Sequence, residues 1–124
     1  QREEEEEMRP TLAQGAVLAA LLTTAPALAD GATDMCLDMS DTDEEQCACA
    51  DAELAETIEA EDYDLYTKIG TLYIANMAAG QGMADAWEAG LDLVANEHGL
   101  GVSDLRGRMN DAGKAHRDAI DACG

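Results

Sequence analysis

From residue 43 onward, apolar residues return every three or four positions, the spacing of helices with one buried face. Four helical segments are predicted. The first spans about Asp43 to Ala60, with Cys47, Ala50, Leu54 and Ile58 on its inner stripe. Thr42, followed three residues later by Glu45, matches a capping box. The second spans about Asp62 to Ala79, carries Leu65, Ile69, Leu72, Tyr73, Asn76 and Met77 on one side, and stops at Gly80. The third runs from about Met83 to Glu97, aligns Met83, Trp87, Gly90, Leu91, Val94 and His98, and ends at Gly99. The fourth begins after Ser103 as N-cap and continues to about Ala122. Its stripe is Leu105, Met109, Ala112, His116, Ala119, Ile120 and Cys123. No stretch alternates with period two for long enough to suggest a strand. The short connections favour antiparallel neighbours, so the expected fold is all-α, a small four-helix bundle-like domain. Residues 30–41 read as an irregular acidic lead.

Upstream the pattern changes. Residues 8–29 read MRPTLAQGAVLAALLTTAPALA. Arg9 supplies a positive start, Gly15 to Leu22 an apolar centre, and Ala27-Leu28-Ala29 a small-residue cleavage site. That is the layout of a cleavable signal peptide. Residues 1–7, QREEEEE, stand before Met8. Gln, Arg and Glu all have purine-rich codons, so this stretch is read as a translated ribosome-binding leader rather than native protein. An AGGAGG-like stretch in the gene tests that reading. The expected organisation is therefore a leader (1–7), a signal peptide (8–29) and a mature helical domain (30–124). The expected location is the periplasm, with secretion as the alternative.

Charge sharpens this picture. The chain has 27 acidic and 7 basic residues, a net charge of −20. Residues 1–29 take away five acids and two bases, which leaves 22 acids, 5 bases and a net −17 on the mature domain. Such a charge repels nucleic acid and anionic membranes, and no run of about 18 apolar residues provides a membrane span. Leu, Ile and Val together number only 14 after residue 29, and Phe is absent. So poor a core needs covalent help at this size.

Four cysteines offer it. In an exported chain, Cys36, Cys47, Cys49 and Cys123 read as two disulfides. Cys47 and Cys49 diverge by about 160° on a helix and do not bond each other. Cys47 and Cys123 both lie on inner stripes that meet at one end of an up-down bundle. The preferred pairing is therefore Cys47–Cys123 with Cys36–Cys49, and its rival is Cys36–Cys47 with Cys49–Cys123.

Other candidate chemistry is thin. Cys36, Met35, Met39 and the Cys47-x-Cys49 pair are soft ligands that suit Cu(I), but oxidising compartments favour disulfides. His98 and His116 fall on or beside apolar stripes and read as packed or helix-end residues. A non-covalent haem held by His116 and a methionine is the sharper alternative. The acidic run from Asp38 to Glu45 lacks the spacing of a calcium loop. No nucleophile, metalloprotease or phosphate-loop motif occurs. The expectation is a protein with no enzymatic activity, no cofactor and no catalytic or metal site. It would bind another envelope protein or act as an acid-responsive, chaperone-like module. A copper or haem carrier is the alternative, and a thiol oxidoreductase using Cys47-x-Cys49 is a third reading.

Overall fold

Helix capping and glycine placement decide where each predicted segment starts and stops in the computed structural model, which describes residues 30–124. The leader and signal peptide expected at 1–7 and 8–29 lie outside the described residues. Among the described residues the fold is all-α, with five helices: α1 (Gly31–Leu37), α2 (Glu44–Thr57), α3 (Ala60–Ala78), α4 (Met83–His98) and α5 (Val102–Cys123).

The last four match the segments predicted from periodicity. The first is a correction, because residues 31–37 form a helix where an irregular lead is expected. Asp30 explains it, since its carboxylate accepts from the backbone N–H of Ala32 at 3.0 Å and caps the N-terminus. At α2 the cap is Asp43, which accepts from the Gln46 N–H at 2.8 Å, rather than Thr42 with Glu45. The Thr42 hydroxyl instead donates back to the carbonyls of Cys36 and Met39, which closes the α1–α2 turn. At α5 the N-cap is Gly101, two residues before the expected Ser103. Gly80 and Gly99 stop α3 and α4 as predicted. Both have positive φ, 104° and 65°, in the left-handed region that glycine enters freely.

The bundle order differs from a simple up-down-up-down ring. α3 packs most extensively on α4, and α2 on α5, while α1 wedges against both α3 and α2. Two glycines allow the wedge. A Cβ on Gly31 would run into the Thr67 carbonyl oxygen, and one on Gly70 would lie 2.9 Å from the Gly31 carbonyl oxygen. Backbone therefore meets backbone where α1 crosses α3.

The main core joins Leu54 of α2, Leu65, Tyr66 and Ile69 of α3, Leu91 and Val94 of α4, and Leu105 and Met109 of α5. A second, smaller cluster gathers Cys36, Cys47, Ala50, Ala119 and Ile120. Met83 and His98, assigned to the inner stripe of α4 by spacing, are exposed, because each lies at an end of that helix.

The cysteines form two disulfides, and the preferred pairing is corrected. Cys36 bonds Cys47 and Cys49 bonds Cys123, with Cα separations of 5.6 and 6.0 Å. Cys47 does face inward, as its stripe demands. Its inward neighbour, however, is Cys36 on the unexpected α1, not Cys123. Cys49 points the other way from α2 and is exposed, where the end of α5 reaches it.

Candidate functional site

Between α1, α3, α4 and α5 lies a solvent-open groove of about 990 Å³, near the upper end for small-ligand sites. One wall is Met35 on α1 with Asp38, Met39 and Ser40 on the turn after it. The opposite wall is Met83, Ala84 and Trp87 at the start of α4. The floor is Tyr66 and Tyr73 from α3 with Met109, Asn110, Gly113, His116 and Ile120 from α5, and Arg117 lies at its edge. Four of the five methionines after residue 29 line this one groove. Unbranched thioethers adapt to irregular apolar surfaces, and clusters of them mark binding faces.

Aromatic rings order the floor. Tyr73 meets Trp87 edge-on at 5.8 Å, Trp87 meets Tyr66 at 6.3 Å, and Tyr66 meets His116 at 5.4 Å. Such edge-to-face pairs add about 0.5–1.5 kcal/mol each beyond burial. The Tyr66 hydroxyl lies 2.8 Å from His116 Nδ1. Burial pushes the Tyr66 hydroxyl up to about 12, so it keeps its proton. Burial also holds His116 below the usual histidine range, which keeps the ring neutral. A neutral ring has one N–H. If Tyr66 donates to Nδ1, the N–H sits on Nε2, and this arrangement leaves the fewest groups unpaired. His116 is 3% exposed, and its Nε2 is the one buried side-chain polar atom without a partner among the described residues.

The cysteines do not form a metal centre, since none is free. Among the described residues no group of three or more His, Cys, Asp or Glu is placed to hold a metal ion. His98 and His116 are not brought together: His98 is exposed at the end of α4, and His116 is buried in α5. Sequence reasoning missed Tyr66, Trp87 and Arg117 as groove residues. The only available signal was the concentration of Met and aromatic residues in three separate helices, which spacing alone cannot assemble.

A second polar cluster ties α1, α2 and α3 together outside the groove. The Tyr63 hydroxyl donates to Asp51 at 2.7 Å and lies 3.4 Å from the Asp30 carboxylate. Burial, then contact with Asp30, raises Asp51 to about 6, only partly offset by the Tyr63 bond. A carboxyl with a raised folded-state value favours folding when protonated. Its contribution is full below about 3.8 and is lost as pH rises through about 6. Asp51→Asn is therefore expected to stabilise the protein at pH 7.5 by about 1 kcal/mol after solvent screening. The gain should shrink through pH 4.5 and vanish at about pH 3, where the native carboxyl is neutral in both the folded and the unfolded chain. Urea midpoints at these pH values check this, and a less stable variant at pH 7.5 refutes it.

Compared with protein-family models, curated proteins and solved structures, the chain matches none.

Proposed function

We propose that the protein is a non-enzymatic, exported binding module whose groove takes apolar segments of other proteins at the cell envelope. The observation that carries this reading is the groove itself, four methionines and a tryptophan gathered from three helices and the turn after α1 on an otherwise acidic domain. Export is supported by the signal-like residues 8–29 and by two disulfides, which persist in oxidising compartments. Among the described residues, no helix is long and apolar enough to cross a membrane. The net −17 keeps the module soluble and keeps copies apart. Acid lowers that repulsion, which supports an acid-enhanced, chaperone-like role.

Suppression of aggregation tests the proposal. At an equimolar ratio the protein is expected to reduce light scattering by a heat-unfolded client enzyme, more at pH 5 than at pH 7. Met83 is 69% exposed at the groove mouth, so Met83→Asp should retain its helical circular dichroism and lose most of the protection. Unchanged scattering at both pH values, or equal protection by the variant, overturns the reading. A Soret band on adding haemin, or Cu(I) retained through desalting, would instead favour a haem or copper carrier. The unpartnered Nε2 of His116 among thioethers is the observation that supports that second reading.

A further inference from the structure

Arg117 is distinguished by having no carboxylate partner among the described residues. Five cations occur after residue 29, against 22 carboxylates. Four of the five are paired. Lys68 meets Glu97 at 3.2 Å, Arg106 meets Glu88 at 2.7 Å, Arg108 meets Asp62 and Glu61, and Lys114 meets Asp118 at 3.0 Å. Arg117 alone has no carboxylate at ion-pair distance among the described residues. In a domain with a fourfold excess of acid, that isolation is informative.

The guanidinium sits at the groove. It lies 3.7 Å from where a Cβ on Gly113 would be, and its charge acts on both Tyr66 and His116. Beside it is the buried His116, whose Nδ1 is taken by Tyr66 and whose Nε2 has no partner. With the Tyr66 hydroxyl donating to Nδ1, Nε2 carries a hydrogen and requires an acceptor. A cation next to a desolvated N–H donor is the arrangement that holds a carboxylate through charge-assisted hydrogen bonds. Asp38, exposed on the turn after α1, is the one carboxylate among the lining residues.

We propose that the groove captures the apolar C-terminal tail of a partner protein, with the terminal carboxylate held by Arg117 and the Nε2–H of His116. This rests on the groove being a protein-binding site and specifies which part of a protein it takes. A peptide fits better than a fatty acid for two reasons. The groove is open to solvent rather than enclosing. Its lining also includes Ser40, Asn110 and the Tyr73 hydroxyl, whose side chains make no hydrogen bond within the described residues and which can pair with peptide amides. The His116 Nε2 is shielded from solvent, so the carboxylate reaches it only by displacing side chains of the groove. The exposed, unbranched side chains of Met39 and Met83 at the mouth can rearrange as a tail enters.

The experiment uses two pools of random octapeptides, one with free C-terminal carboxylates and one amidated, passed over the immobilised, disulfide-intact protein. Retained peptides are sequenced by mass spectrometry, and the most enriched one is titrated against the emission of Trp87, the only tryptophan. Free-acid peptides with apolar last residues should be enriched. The amide of the best peptide should bind about tenfold more weakly, the size of one charge-assisted hydrogen bond. Arg117→Gln, an exposed position, should abolish that difference while preserving helical circular dichroism, and Arg117→Lys should keep most of it. Equal binding of acid and amide overturns the carboxylate inference and leaves the groove reading standing. Enrichment from neither pool overturns both. An Arg117-dependent shift of Trp87 emission with dodecanoate, without any enriched peptide, overturns the proposal in favour of a fatty acid.

Discussion

Reduction of both disulfides at neutral pH should abolish most of the helical circular dichroism. The two loops lie one after the other in the chain, with separations of 11 and 74 residues, so their effects on the unfolded state are largely independent. In the chain-entropy description the long loop contributes up to about 4.5 kcal/mol and the short one up to about 3 kcal/mol. A domain of this size is stable by about 5–15 kcal/mol in total. The rest of the protein has little to set against such a loss. Residues 30–124 hold 14 Leu, Ile and Val and no Phe, only seven of the 14 are buried, and the net charge repels itself.

The cleanest single test is Cys49→Ser with Cys123→Ser. Both residues lie outside the fully buried set, so removing their bond changes packing little. The expected cost is about 3–4 kcal/mol, read from the urea midpoint. Unchanged ellipticity and an unchanged midpoint, with free thiols confirmed by mass, would refute the argument.

The same contrast between local and non-local information explains how far the sequence could be read. Helices α2 to α5 follow from periodicity and glycine stops, because those signals act within one turn of the chain. Helix α1 does not follow from them. It has only seven residues, too few for a stripe, and its existence depends on the Asp30 cap and on a seat against α3. Once α1 is missed, the disulfide pairing is missed too, since Cys36 is then given no fixed place beside Cys47. The groove was illegible for a related reason. Met35, Trp87 and His116 come together only because α1, α4 and α5 all border α3 or one another. Spacing places His116 on an inner stripe, where it is buried, yet its unpartnered Nε2 depends on Tyr66, fifty residues away in the chain. Arg117 has no sequence signature at all, because its isolation is defined by where the acids are not.

Gly31→Val should detach α1 from the bundle, whereas Gly107→Ala should make the protein more stable. Each replacement adds side-chain carbon to a helical glycine, but the surroundings set opposite signs. At Gly31 the added Cβ meets the backbone carbonyl of Thr67, which belongs to an α3 that cannot yield without losing Ile69 and Leu65 from the core. Overpacking against backbone costs about 2–3 kcal/mol at least. The Cys36–Cys47 bond keeps α1 tethered, so global unfolding is not the expected outcome. Instead α1 should lift, the contacts of Asp30 with Tyr63 should open, and the groove should lose the wall carrying Met35 and Met39. Peptide binding and Trp87 emission should therefore change even in the folded variant. At Gly107 nothing lies within 4 Å of an added Cβ. Alanine there removes backbone freedom from the unfolded chain and gains about 0.5–1 kcal/mol. Hydrogen exchange of α1 amides and urea midpoints for the two variants decide the matter. Native protection of α1 in Gly31→Val would show that the close crossing of α1 and α3 does not hold the groove wall in place.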